Sequence, residues 1–358
     1  MKNEEEEMKK FLSVLLVLVM VLSITACGGN EGNGGEGAQS GEVTEGTVDQ
    51  EVTLVLGNMA YGADNPYNIA CKKAAELLEE MGSTVHLDLQ LEAALGTERE
   101  LIENTIMGNV DLVQGADMSF TPFCKELAFV NFPLIFEDYD DVYELWGQDG
   151  WVFQTADQFL AETGLKLLGA TDNGFRWITN SVRPIESLSD IKGLKIRVPE
   201  IESLIDIWNA FGAVTAPISY TELTTALQQG VVDGQELGMQ HFYSCGWYEY
   251  QPYATDINYD YSSVITCINL DTFNSLSEQQ QADLETAFQE ASEFTLDYAV
   301  DFIDKGYEVS KANGVQVLDR TQEMYDEIYA IGVELATNDK WLPIFGEELV
   351  EKMYPGAL

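Results

Sequence analysis

Arginine is the residue type that stands out. The chain holds 61 acidic residues against 18 basic ones, and five of the 18 are arginine. Three of those five, Arg176, Arg183 and Arg197, fall within 22 residues. A guanidinium presents a rigid fork of N–H donors that matches a carboxylate in two parallel hydrogen bonds, which an ammonium does not. In "GLKIRVPE", residues 193–200, Leu194, Ile196 and Val198 share one face of a period-two pattern, and Lys195 and Arg197 share the other. Pro199 ends the strand, so Arg197 lies near its carboxyl end, where open α/β sheets bind ligands. The same pattern also fits a solvated strand face. Arg176, in "NGFRWITN", stands between Phe175 and Trp177, rings that can wall a pocket or stack on a guanidinium.

Catalysis finds no comparable signal. The two histidines, His86 and His241, belong to no metal-ligand cluster and read as structural. There is no G-x-S-x-G, no H-E-x-x-H, no P-loop and no G-x-G-x-x-G after a strand. With 61 carboxylates, the spacing of any two means little. The expectation is a protein that is not an enzyme and carries no metal or cofactor. The net charge of −43 repels phosphate backbones, which excludes nucleic acid as a partner.

The elements that position the arginines follow from periodicity. "EVTLVLG" (51–57) reads as a buried strand, and Asn65-Pro66 opens a helix stopped by Gly82. "TVHLDLQL" alternates as a second strand. Thr97-x-x-Glu100 is a capping box starting a helix that ends at Gly108, and "VDLVQG" is a third strand. This β-α-β-α-β order predicts a largely parallel sheet. "LKLLGATDNG" reads as a strand and loop, and "LKIRVP" as a strand before a helix over 200–211. Ser219-x-x-Glu222 caps another helix, and "VVDGQE" is a strand with its exit loop. Ser277 and Gln280 cap a helical pattern of some 35 residues, which would span ~50 Å and act as a strut across two lobes. At 358 residues the chain has room for about two domains.

The N-terminus reads as a targeting segment. Lys9 and Lys10 precede an apolar run from Phe11 to Ile24, too short for a comfortable membrane span. Acidic residues before Met8 are unusual there, which points to Met8 rather than Met1 as the start. "ITAC" ends the segment in the manner of a lipobox, so residues 1–26 read as a lipoprotein signal peptide and Cys27 as its lipidation site. Residues 27–50, rich in glycine, form a flexible linker that tethers the body to the outer face of the membrane. Cys71, Cys124, Cys245 and Cys267 have no close pairing motif and read as buried free thiols, although export permits disulfides.

Four stretches together resemble one family: "LGTERELIENTIMGNVDLV", "FPLIFEDYDDVYEL", "GFRWITNSVRPIESLSDIKGLKIRVPE" and "TALQQGVVDGQE". They are similar, in order, to the solute-binding subunits of tripartite ATP-independent periplasmic (TRAP) transporters, the DctP-like family, over residues 52 to 345. The resemblance implies an α/β, two-lobed fold of the periplasmic-binding-protein type (type II-like), with hinge strands and a strut helix. Lobe I would comprise 51–172 and 262–300, and lobe II 173–261 and 301–358. It implies a receptor that closes on a small organic acid, with a sugar acid or hydroxy acid favoured, and delivers it to TRAP membrane permease subunits. Arg197 would make the salt bridge to the substrate carboxylate, Arg176 would be a second pocket arginine, and Tyr220 would lie against the ligand. Glu98, and Asn58 to Tyr61, would lie on first-lobe pocket loops, with Trp177 beside Arg176.

The chain departs from the family in places. Leu237 replaces the asparagine of V-D-G-Q-E-N-P, leaving a more apolar wall. Glu200 stands where sialate-type members carry asparagine, and Ala116 and Ser119 stand where they carry glutamate and arginine, so sialic acid is not the expected ligand. Asp117 and Glu200 are available to accept hydroxyl hydrogen bonds from a sugar acid, or to stand as solvated acids. A binding protein of an ABC importer or sensor has the same general shape, and an extracellular lyase acting on an acid is the remaining alternative.

Overall fold

The computed structural model describes residues 49–60, 62 and 65–358, and the side chains of all of these except 297 and 300–302. The signal-like segment, Cys27, most of the glycine-rich tract and Tyr61 lie outside them.

The first sheet is built as periodicity predicts. Strand β1 (Val52–Gly57) leads to helix α1 (Pro66–Glu80), β2 (Val85–Gln90), α2 (Glu98–Ile106) and β3 (Leu112–Ala116). The Asn65 side chain caps α1, and Thr97 with Glu100 completes the capping box of α2. β1 pairs in parallel with both β2 and β3. Two helices, α3 (Tyr139–Trp146) and α4 (Trp151–Glu162), then lead into β4 (Leu165–Asn180).

β4 differs from the sequence reading, which ends the strand in a loop at "ATDNG". The chain stays extended for 16 residues and joins two sheets. Its first part pairs antiparallel with β9 (Tyr261–Asn269), which itself pairs antiparallel with β3. Its last five residues pair antiparallel with β7 (Gly234–Gly238). The Gly and Asn that signal a turn are instead used in a bulge. Asp172 pairs with Ser263 and Gly174 with Ser262, so Asn173 is the extra residue.

The second sheet follows. β5 (Lys195–Val198), α5 (Glu202–Ala210), β6 (Val214–Pro217), α6 (Tyr220–Gln228) and β7 place β5 in parallel between β6 and β7. Next come α7 (Met239–Ser244), β8 (Tyr253–Asp256) paired to the end of β4, and β9, which returns to the first sheet. A short helix α8 (Leu270–Ser275) precedes α9 (Glu278–Ala312), 35 residues long and capped by the Ser277–Gln280 box. β10 (Gln316–Asp319) pairs with β8, and α10 (Gln322–Ala336) and α11 (Leu342–Met353) close the chain.

Burial explains the strut. The first half of α9 puts Leu284, Ala287, Phe288 and Ala291 into the core around Leu54, Leu56 and Leu78. Its second half packs Ile303 and Tyr307 against Trp177, Leu237 and Phe242 under the second sheet. The last helix, α11, takes Phe345, Leu349 and Val350 into the aromatic cluster of Phe129 and Phe132 beside the first sheet. Met324 and Ile328 of α10 pack instead with Ile196, Ile207 and Trp208 of the second. All four described cysteines are free, and three of them are buried. Among the described residues no helix is long and apolar enough to cross a membrane.

Candidate ligand-binding site

Arg176 and Arg197 come from neighbouring parts of the second sheet but have opposite electrostatic situations. Arg176 is 1% exposed and closed on Glu236, which is 0% exposed. Its Nε donates to Oε2 at 2.6 Å, and its Nη2 donates to Oε1 and to the Glu236 carbonyl, each at 2.8 Å. The Tyr259 hydroxyl adds a third side-chain donor to Glu236 at 2.6 Å. Burial lowers an arginine pKa, but Glu236, joined by Tyr259 and Asp260, more than offsets it and Arg176 ends above its ordinary value. Asp260 lies at 4.0 Å and accepts no hydrogen bond at either oxygen among the described residues, so burial pushes it well above the usual carboxylate range.

Arg197 is equally hidden, at 2% exposure. Its Nε donates to the Ile218 carbonyl at 2.8 Å. Among the described residues, its two terminal nitrogens have no hydrogen-bond partner and no carboxylate lies within ion-pair distance. Burial lowers its pKa to about 10, and Arg176 works in the same direction while Glu236 opposes. At neutral pH it is a buried cation with both terminal nitrogens unused among the described residues. Such a group is costly unless an anion completes it.

A hydrogen-bonded chain runs beside Arg197 and crosses between the two sheets. Tyr220, the first residue of α6, places its hydroxyl 3.1 Å from His241 Nδ1 and 3.4 Å from Cys245 Sγ. His241, on α7, places Nε2 2.8 Å from Asn173 Oδ1. Tyr67, in the first turn of α1, donates to that same oxygen. Asn173 Nδ2 donates to Ser262 Oγ at 2.9 Å, which fixes the amide and makes Oδ1 the acceptor. His241 must therefore carry its proton on Nε2, leaving Nδ1 to accept from Tyr220. Burial first, then Arg176 and Arg197, depresses the imidazole to about 3, so it is neutral at physiological pH. The bulge in β4 makes this possible by turning the unpaired Asn173 out of the ladder. Gly174 adopts φ +85°, and Gln240 packs so close that a Cβ there would lie 2.7 Å from its amide.

The family model for the bacterial extracellular solute-binding proteins, family 7 (DctP), matches residues 57–334. The chain belongs to this family. The 2,3-diketo-L-gulonate-binding periplasmic protein of Escherichia coli is 28% identical over 70% of this chain and 76% of its own length. A TRAP solute-binding protein from Polaromonas, bound to D-erythronate, is 28% identical, with a TM-score of 0.74 over 85% of this chain and 98% of that one. Another from Ochrobactrum anthropi, with a C-terminus bound in its ligand-binding pocket, is 27% identical, with a TM-score of 0.78 over 85% and 94%. The two sheets joined by β4 and strutted by α9 are thus the two lobes of a TRAP periplasmic binding fold.

In this DctP-family protein the residues anticipated from sequence fall into three groups. Arg197 and Tyr220 lie close enough to act on one another, and Tyr220 and Glu98 both act on Tyr67. Glu98, at the start of α2, accepts from the Ala116 amide at 2.9 Å and from the Ser119 hydroxyl, and burial raises its pKa. Glu200 is exposed, close enough to Arg197 to act on it but not paired with it.

The second group is near the site but already occupied. Arg176 is held by Glu236. Asn58 donates to Asn68 and Gln114 at 2.8 and 3.0 Å and accepts from the Glu92 amide, tying the first-lobe loops together. Asp117 accepts from Met118 N, Asn131 Nδ2, Ser263 N and Ser263 Oγ, which uses both of its oxygens. It clamps the end of β3 to β9 and has no acceptor left for a ligand hydroxyl. The third group is core. Trp177 and Leu237 pair across β4 and β7 and pack with Leu223 and Phe242 beneath the sheet. Period two puts them on the face opposite Arg176. Tyr61 lies outside the described residues.

The sequence reading missed Tyr67, Asn173 and His241. His241 has no motif around it, and Tyr67 sits among ordinary helix residues. Only Asn173 left a trace, as part of the "ATDNG" punctuation. A shallow cavity of about 640 Å³ between Glu144, Trp151 and Glu293 includes none of these groups and no basic side chain.

Proposed function

We propose that this DctP-family protein is the extracytoplasmic solute receptor of a TRAP transporter. It binds a small organic acid between its lobes, with the carboxylate on Arg197, closes, and hands the acid unchanged to the membrane permease. The observation that carries this reading is the buried Arg197 fork, which no carboxylate completes among the described residues. The relatives named for 2,3-diketo-L-gulonate and bound to D-erythronate favour a sugar acid or hydroxy acid. The lobes divide near 51–172 with 262–300 and 173–261 with 301–358. β4 and α9 cross between them, and α11 rests on the first. Cys27 carries a lipid that anchors the receptor to the outer face of the membrane, with the glycine-rich tract as tether.

Thermal shift of the purified protein tests the reading. Small carboxylates, neutral sugars and amino acids are screened beside Arg197→Ala. A ligand that binds only the folded state raises the melting temperature. Shifts confined to carboxylates and lost in Arg197→Ala support the receptor. Equal shifts by neutral sugars in both proteins remove its physical basis. For the anchor, Cys27→Ser should move the protein from the membrane fraction to the soluble one.

A further inference from the structure

We propose that the site accepts acids with a single carboxylate and a hydroxylated tail, and rejects dicarboxylates of the same chain length. The inference rests on the reading that Arg197 is the carboxylate anchor, and it follows from where the remaining charge lies. Of the two buried guanidiniums, one is already spent. Freeing Arg176 for a ligand would strand Glu236, which is wholly buried and held by Tyr259 as well. Arg197 has its two terminal nitrogens left, and their parallel N–H groups match the two oxygens of one carboxylate.

The groups beyond Arg197 are polar but not cationic. His241 has both ring nitrogens engaged by neutral partners, Tyr220 on one side and Asn173 on the other. Burial disfavours the imidazolium, two guanidiniums act in the same direction, and among the described residues no carboxylate opposes them. Past it stands Tyr67, on which burial and Tyr220 act first and the acids Asp172, Glu98 and Asp117 next, with no cation among them. A second carboxylate on the ligand would meet tyrosines, an amide and buried acids, with no cation among the described residues to receive it. Hydroxyl groups meet a favourable set, because the Tyr67 and Tyr220 oxygens and the Glu98 carboxyl can accept them. The net charge of −43 adds to the penalty on a dianion.

The test uses ligands matched in length. Gluconate is compared with glucarate, and erythronate with tartrate, by calorimetric titration of the wild-type protein at pH 7.5. The monoamide of glucarate keeps the size of the diacid and removes its second charge. The expected result is binding of the monoacid, a diacid at least ~10-fold weaker, and recovery with the monoamide. His241→Arg, which adds a cation, should narrow the difference where the variant folds. A diacid that binds as tightly as its monoacid overturns the proposal. So does a monoamide as weak as the diacid, which would make size the cause. In both of these results Arg197→Ala still abolishes binding and the receptor reading survives. If no carboxylate of any length depends on Arg197, the receptor reading fails and this inference with it.

Discussion

Arg176 and Glu236 form a two-pronged ion pair with nitrogen–oxygen distances of 2.6 and 2.8 Å, both side chains shut away from solvent. The pair joins β4 to β7 and forms the floor beside which Arg197 stands open. Two arginines that look alike in sequence therefore divide the work. One is structural glue in the second lobe, and the other has both terminal nitrogens without a hydrogen-bond partner among the described residues.

Breaking the floor should be costly. Glu236→Ala leaves the Arg176 cation buried with only Asp260 nearby, and is expected to destabilise the fold by roughly 3–5 kcal/mol. The double variant Arg176→Met with Glu236→Leu removes both charges and should recover much of that loss. Urea unfolding of the single and double variants measures it. A Glu236→Ala protein as stable as wild type would mean that the pair is not the buried unit described.

Arg197 should behave in the opposite way. Arg197→Ala removes a desolvated charge that pairs with no carboxylate among the described residues, so the unliganded melting temperature should hold or rise. Affinity for the carboxylate ligand should fall by about 2–5 kcal/mol. Arg197→Lys should not restore it, because an ammonium does not reproduce the fork. Melting curves and titration calorimetry together separate the two effects.

Mild acid should stabilise the protein. Burial pushes Asp172 up to about 7 and Asp256 also to about 7. Each folded value lies above the unfolded one, so each contribution is complete below about pH 4 and is lost as the pH rises through about 7. His241 has the reverse sign. Its folded pKa is depressed to about 3, so its contribution is complete above about pH 6.5 and is lost as the pH falls. Two carboxyls outweigh one imidazole between pH 7.5 and 5. The melting temperature is expected to rise over that interval, and Asp172→Asn should flatten the slope.

The bulge in β4 should tolerate little change. Gly174→Ala meets both a left-handed backbone and the Gln240 amide at 2.7 Å. A cost of about 1–3 kcal/mol is expected for the backbone alone. Asn173 should also lose its place between Tyr67 and His241, so ligand affinity should drop along with stability. Circular dichroism melts and a ligand titration report the two losses separately.

Much of the lower level of this fold was legible in the sequence. The capping boxes at Thr97 and Ser277 form as read. The Ser219 hydroxyl instead bonds the Glu222 side chain and gives α6 no cap. The strut helix, the β1-α1-β2-α2-β3 unit and the placement of Arg197 at a strand end all follow from local spacing, because capping and periodicity are properties of adjacent residues. The run "LKLLGATDNG" misled, since turn residues also serve in bulges and only the partner strand decides which. Trp177 and Leu237 were legible as apolar but not as core, because their neighbours under the sheet come from residues 223, 242 and 307.

By itself, then, the sequence determined the elements, the family pattern and the presence of a guanidinium near the carboxyl end of a strand. Only the tertiary structure decided which arginine is free. That depends on a carboxylate 60 residues from Arg176 arriving within 2.6 Å of it and not of Arg197. The same holds for Tyr67, Asn173 and His241, which meet across separations of 106 and 68 residues. Hydrogen bonding and ion pairing act over a few ångströms in space and take no account of distance along the chain, so no local pattern can encode them.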